Sequence, residues 1–308
     1  MKTLRLDLAL IRAHPALSRR RARDVIEKGQ VSVDRTVVRE PGRAVPEGAA
    51  IVWDPNRKAL PRVRSSLPIL YEDESVLIVD KPAGLLTVAS GPGVREEDTA
   101  LARVQDYVRR LRPRRPYVGI VHRIDRDTSG AVAFALSPEA RQDLRALFRA
   151  HRIERRYLAL VGGAPPADRG IVDLPMHQAY EGGKRRVARP GESSVPALTR
   201  WVLLERFARA ALLELELSTG RQHQIRVHLA HVGLPILGDN VYNPRKGRPV
   251  GGKAPRQMLH ARLLAFVHPI TGDRVHVESP LPDDFRAALA TLRRGSAHPR
   301  LRRGPRVS

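Results

Sequence analysis

The 308-residue sequence contains no cysteine. That absence excludes disulfides, thiolate zinc sites and cysteine nucleophiles. Acidic residues are scarce beside basic ones: 32 Asp and Glu stand against 55 Lys and Arg, a net charge of +23. A surface this basic attracts polyanions, and neutralising phosphates supplies much of the non-specific affinity for nucleic acid. Membrane surfaces and acidic proteins are the competing partners. No apolar run approaches the ~18 residues that span a bilayer. The opening MKTLRLDLAL is interrupted by Arg5 and Asp7 and does not read as a secretory signal. No stretch matches a P-loop, a G-x-G-x-x-G turn or a G-x-S-x-G elbow, so nucleotide or S-adenosylmethionine binding lacks support. The expectation is a soluble, cytoplasmic protein whose leading partner is a polyanion.

What is present suffices for a globular chain. Hydrophobic residues make up 42%, and the length accommodates about two domains. The charge is uneven. Residues 1–66 hold fifteen basic and seven acidic residues, and the last sixteen carry six arginines and no acid. That tail, 293–308, has Gly295, Pro299, Gly304 and Pro305 and little apolar content, and reads as disordered. Between Asp54 and Ser66 the sequence DPNRKALPRVRSS has two prolines and no apolar period. It reads as a linker between a small domain over 1–53 and a large one over 67–292.

In the small domain, Leu4, Leu8 and Ile11 lie at helical spacing, and His14-Pro15 ends the run. Ser18 is placed to cap a second helix with Ala22, Val25 and Ile26 on one face. Gly29 sits where a left-handed C-cap belongs. Short strands follow at Val31–Val33 and from Val37, across an Asp34-Arg35 turn. Arg19, Arg20, Arg21 and Arg23 form a cationic face on the second helix. The whole pattern resembles the small RNA-binding domain of small-subunit ribosomal protein four, which implies that these arginines meet RNA phosphates. Asp34-Arg35 departs from the Asn-Gly common in that family's hairpin. Without an RNA role, the same pattern is a solvated amphipathic helix pair.

In the large domain the apolar run Val118, Ile120, Val121 breaks into His122-Arg123-Ile124-Asp125-Arg126-Asp127-Thr128-Ser129-Gly130, and a second apolar run, 131–136, follows. One carboxylate, Asp125, is thereby held at the end of a strand beside basic residues. Read blandly, it caps a turn or pairs with Arg123. The segment resembles the His-Arg-Leu-Asp-x-x-Thr-Ser-Gly signature of RluA-type RNA pseudouridine synthases, with Ile124 in place of leucine. Further stretches carry the same likeness: Asp80-Lys81-Pro82-Ala83-Gly84-Leu85 after the buried strand Ser75–Val79, Arg155-Arg156-Tyr157-Leu158-Ala159-Leu160-Val161, TGRQHQIRVHLAHVGLPILGD from Thr219, Leu259-His260-Ala261, and HPITGDRVHVESPLPDDF. The resemblance spans nearly the whole chain apart from the tail. It implies a mixed, largely antiparallel sheet with flanking helices (an α+β fold) behind a small α/β RNA-binding domain.

The resemblance also implies roles. Asp125 is the catalytic carboxylate, Tyr157 lies against the target base, and Arg226 pairs with Asp125. Lys81 and Arg221 are expected to contact RNA, and Arg123 to fill the stack vacated by a flipped base. His122 reads as a hydrogen bonder that organises its loop. Taken alone, Tyr157 would be a core aromatic and Lys-Pro-x-Gly a surface turn. Ser137-Pro138-Glu139 opens a helix whose apolar face is Leu144, Leu147 and Phe148. Leu213, Leu215 and Leu217 alternate with polar residues as a half-buried strand. Ile225, Leu229 and Val232 then set a helix over 222–232, stopped by Gly233.

Conversion of uridine to pseudouridine breaks the N1–C1′ bond, turns the uracil and joins C5 to C1′. No atoms are gained or lost, so neither a redox cofactor nor a metal is required. Asp125 either attacks C1′ or removes the C2′ proton, and the sequence does not decide between them. His223, His228 and His231 do not make a metal site, because a five-residue separation on a helix sends the first two rings apart. The implied substrate is large-subunit ribosomal RNA, with transfer RNA as the other option. Two rival readings are a non-catalytic RNA-binding or ribosome-assembly factor and an RNA methyltransferase. The set Asp125, Tyr157 and Arg226 argues against the first, and the missing S-adenosylmethionine loop against the second.

Overall fold

A computed structural model describes residues 3–34, 36–38, 41–57, 67–89, 98–112, 116–180, 184–243 and 254–297. The chain divides into two compact units, residues 1–65 and 66–308. Among the described residues no helix is long and apolar enough to cross a membrane.

The first unit packs helices Leu6–Ala13 and Arg19–Glu27 on a three-stranded sheet of Thr36–Val37, Val31–Val33 and Ile51–Trp53. Ser18 Oγ accepts the Arg21 N–H at 3.2 Å, and Gly29 takes φ 70° after the helix. The first helix differs from its expected phase. Thr3–Arg5 is a strand paired with Ala44–Pro46, so the helix begins at Leu6 and buries Leu6 and Leu10. Leu8, expected inside, is exposed, and Leu4 and Ile11 are only half-buried. Asp34 adopts φ 48° at the hairpin turn; Arg35 lies outside the described residues, as do residues 58–66 of the expected linker.

The second unit is built on a ten-stranded, largely antiparallel sheet with flanking helices. The main path runs Arg169–Asp173, Leu198–Arg206, Ala210–Leu217, Glu154–Gly162, Leu259–Val267, Ser129–Ala135, Val76–Lys81, Ile69–Glu72. Arg274–Glu278 pairs with Leu259–Val267, and Gly119–Ile120 with Ser129–Ala135. Val76–Val79 and Ser129–Ala135 are buried throughout, which is why both read as continuous apolar runs rather than alternating ones. At the sheet's centre Leu259–Val267 meets Ser129–Ala135 in parallel, through His260↔Ser129 and Ala261↔Gly130. Gly130 has φ +119°, and a Cβ there would collide with the Ala261 carbonyl. Only glycine allows the two backbones to approach so closely.

Two helices depart from the sequence reading. Gln224–His231 is shorter than expected and buried over Gln224–Leu229, while Val232 is exposed. Asp283–Ala297 continues through the first five residues of the expected disordered tail, where Arg293 pairs with Glu205 at 2.7 Å. An ion pair and continued helical bonding outweigh the poor propensity of Gly295 there. Residues 298–308 lie outside the described part.

Candidate active site

Asp125 sits in the loop 121–128 between Gly119–Ile120 and Ser129–Ala135. Groups distant in sequence hold that loop. Thr87 Oγ1 donates to the Ile124 carbonyl at 2.8 Å. Arg256 donates to the Asp127 carbonyl at 3.0 Å and to Ser129 Oγ at 3.1 Å, and Gln257 Nε2 donates to Thr128 Oγ1 at 2.8 Å. Asp284 grips Arg256 in turn through two bonds of 2.7 and 3.0 Å. Lys81 belongs to this scaffold and not to the surface. It is fully buried, and Nζ donates to the carbonyls of Pro82, Leu85 and Arg126 at 2.9, 2.7 and 2.9 Å. The expected RNA contact at Lys81 is thus corrected: a group that faces inward and holds three carbonyls has no reach to a phosphate. Burial pulls its pKa down to about 7, yet three acceptors call for three N–H donors, which only the ammonium has.

His122 also faces inward. Its Nε2 accepts the Ala133 N–H at 2.9 Å, and its ring stacks on Phe148 with centroids 4.6 Å apart. Burial, reinforced by the Arg155 charge, pushes its pKa down to about 3, which keeps the ring neutral and Nε2 an acceptor.

The carboxylate of Asp125 faces Arg226 from the buried helix Gln224–His231. Arg226 Nη1 donates to Asp125 Oδ2 at 2.9 Å. The same guanidinium makes two bonds to Asp239, from Nε at 2.7 Å and Nη2 at 3.0 Å. Burial pushes Asp239 up, but Arg226 and the N–H groups of Val241 and Tyr242 outweigh it and hold the carboxyl below its ordinary pKa. Against burial, the two carboxylates raise the Arg226 pKa. Tyr242 lies 4.9 Å under the guanidinium, and its hydroxyl meets His223 Nδ1 at 2.7 Å. His223 Nε2 lies 3.9 Å from Asp125 Oδ2. Burial lowers the His223 pKa despite Asp125, and its backbone is left-handed at φ 60°.

A cavity of about 420 Å³ opens over Asp125. Tyr157 and Arg155, two apart on Glu154–Gly162, line one wall; Arg123, Arg149 and Arg221 line others. Asp125 is the one acid among the described lining residues, against five arginines counting Arg226. Tyr157 is 8% exposed, and burial pushes its phenol pKa up. The strand slips register against Leu259–Val267 between Arg156 and Tyr157; such a bulge re-aims a side chain. Arg123 and Arg221 are exposed at the rim, where Arg221 Nε donates to the Pro196 carbonyl at 3.1 Å.

The expected trio of Asp125, Tyr157 and Arg226 therefore meets at one cavity. Asp239, Tyr242 and His223 carried no role in the sequence reading, although all but Tyr242 lie in the TGRQHQIRVHLAHVGLPILGD stretch. The signal was Gly238 before Asp239: at φ 75° its missing Cβ leaves room for the Arg256 carbonyl. No group of three His, Asp or Glu among the described residues converges as for a metal. His228 spends its ring nitrogens on Thr199 Oγ1 and the Leu174 carbonyl, both at 3.0 Å.

In the first unit, Arg19, Arg20, Arg21 and Arg23 are exposed on one helix. Three of them are also tied to acids. Asp7, fully buried, meets Arg5, Arg23 and Arg19 at 3.0, 3.3 and 3.8 Å, and Arg21 pairs with Asp24 at 3.1 Å.

Residues 75–231 match the family described as RNA pseudouridylate synthase, and residues 4–51 match the S4 domain. Over 94% of its length the chain is 36% identical to a ribosomal large subunit pseudouridine synthase D of Pseudomonas aeruginosa, covering 92% of that protein. It is 38% identical to the protein of the same name from Nitrosomonas europaea, over 94% of this chain and 85% of that one. Among solved structures, human RNA pseudouridylate synthase domain containing 4 superposes with a TM-score of 0.62 at 25% identity, over 73% of this chain and 93% of that one.

Proposed function

This chain belongs to the RNA pseudouridylate synthase family, and on that premise we propose that it isomerises specific uridines of large-subunit ribosomal RNA, with Asp125 as its catalytic carboxylate. The observation that carries the assignment is the Asp125–Arg226 pair at 2.9 Å in a cavity where Asp125 is the one acid among the described lining residues. An ionised carboxylate is what either route needs at C1′ or C2′. Arg226 supports its charge, and Asp239 fixes Arg226 in turn.

The target base leaves its stack to enter the cavity, and Arg123 at the rim takes its place. Asp125 assists cleavage of N1–C1′, the uracil turns, and C5 bonds to C1′. N1 gains a proton and C5 loses one, so the balance is neutral. Tyr157, kept a neutral phenol by burial, stacks on the uracil and relays the C5 proton: its oxygen takes that proton as its own O–H proton passes to solvent water. Arg19, Arg20, Arg21 and Arg23 hold RNA phosphates on the first unit, and Arg221 holds one at the rim of the cavity. The choice of large-subunit RNA over transfer RNA rests on the names of the relatives and on the S4 domain. On this reading the enzyme is a cytoplasmic monomer that needs no cofactor.

The test is Asp125→Asn, nearly isosteric but unable to attack or to take a proton. It should form no pseudouridine in a large-subunit RNA transcript, read by carbodiimide-blocked primer extension, while binding that RNA within about threefold of wild type. Turnover near the wild-type rate would overturn the role of Asp125. An intact protein that forms no pseudouridine in any RNA would favour the assembly-factor reading instead.

A further inference from the structure

Arg155 is a buried cation with no counter-ion among the described residues. It is 8% exposed, yet none of their carboxylates lies within ion-pair distance of it. Its one hydrogen bond runs from Nη2 to the Leu217 carbonyl at 3.0 Å, and its Nε is buried with no partner there. Arg226, on the same cavity, is held by two carboxylates. A guanidinium with five donors, taken out of water and left with one neutral acceptor, is costly unless a ligand completes it.

The surroundings keep that place open. The guanidinium lies 5.6 Å over the Phe148 ring. A Cβ at Gly220 would come within 2.6 Å of Arg155 Nη1, so the absence of a side chain there makes room for it at the cavity wall. Burial lowers the Arg155 pKa with only Tyr157 to oppose it, but a guanidinium stays charged at any physiological pH. Arg155 and Tyr157 stand two residues apart on one strand and both face the cavity. Their separation is therefore about 7 Å along the strand, the scale of one nucleotide.

We propose that Arg155 is the clamp for one backbone phosphate flanking the target uridine. A phosphodiester supplies the full negative charge and the several acceptors that the buried fork lacks. The placement sets the base against Tyr157 and its phosphate against Arg155, and so fixes how far into the cavity the nucleotide descends. The proposal rests on the reading that the cavity receives a uridine of RNA.

The test replaces single phosphates around the mapped uridine with neutral methylphosphonates in a synthetic RNA of that sequence. For the wild-type enzyme, one position next to the uridine should weaken binding by roughly tenfold or more. Arg155→Gln should bind the natural RNA weaker by a similar factor and lose nothing further at that position, because the pair is then already broken. Thermal melting of Arg155→Gln checks that it folds; if it does not, the wild-type scan and Arg155→Lys, which keeps the charge, still decide. A scan in which no flanking position matters, or in which the two effects add at every position, overturns the clamp while leaving the synthase reading intact. A wild-type protein that forms no pseudouridine overturns both.

Discussion

Arg226 is bound more firmly to Asp239 than to Asp125, by two hydrogen bonds of 2.7 and 3.0 Å against one of 2.9 Å. Asp239 takes the fork side-on and leaves Nη1 for Asp125. The arrangement makes Asp239 a positioning residue: it sets the direction from which charge reaches Asp125, the proposed catalytic carboxylate.

Asp239→Asn should therefore lower kcat by about ten- to a hundredfold, the scale of an ångström of misplacement at a reacting group. RNA affinity should stay within about threefold. Release of tritium from C5-labelled uridine in RNA gives the rate, and filter binding gives the affinity. A kcat within twofold of wild type would show that Asp125 alone suffices to place Arg226.

Gly130→Ala should destabilise the second unit by about 3 kcal/mol, combining a left-handed backbone with a collision against the Ala261 carbonyl. Differential scanning calorimetry should show one transition falling by roughly 10 °C. An unchanged transition would mean that the parallel junction at Ala261 yields more easily than its geometry implies.

The half-buried His122 predicts a pH dependence of stability. Its pKa is about 3 in the folded protein, below the ordinary histidine value of 6.5, so the unfolded chain binds the proton first as pH falls. Stability from this group is full above about pH 6.5 and drains away between there and about pH 3, by at most about 1.4 kcal/mol per pH unit. Carboxylates such as Asp239 lose stability in the same direction, so the difference between wild type and His122→Gln isolates the histidine. Equal slopes of melting temperature against pH for the two proteins would count against a neutral ring.

Removing residues 1–65 should weaken RNA binding and shallow its salt dependence, the slope of log affinity against log salt falling by roughly 0.7 to 0.9 for each phosphate no longer neutralised. Turnover of a saturating minimal RNA should survive, since Asp125, Tyr157 and Arg226 all lie in the second unit. A salt titration of both proteins on the same RNA measures the change. Equal slopes would reduce the Arg19–Arg23 face to a solvated helix.

Much of this was legible in the sequence because local rules and tertiary packing agree. Ser18 and Ser137 cap helices as their chemistry predicts, and the alternation of Leu213, Leu215 and Leu217 matches their burial. The trio at the cavity was legible through motif resemblance. What failed did so where long-range contacts decide. The pairing of Thr3–Arg5 with a strand forty residues away shifted the first helix by a phase that no local period records. Lys81 looked like a surface turn because lysine is almost never fully buried; only the fold shows that three carbonyls converge on it. Asp239 lay unread because the Gly238 before it marks only a tight turn in the sequence, and the carboxylate gains a meaning once its arginine partner is placed.

The scaffold around the loop 121–128 bears on the order in which the protein becomes able to act. Synthesis proceeds from the N-terminus, so the S4 unit and the loop bearing Asp125 leave the ribosome well before Arg256, Gln257 and Asp284 are made. Until those residues arrive, Asp127, Thr128 and Ser129 lack the groups that hold them. A growing chain thus acquires its RNA-binding unit first and its chemistry last, and a partial product could dwell on RNA without altering it.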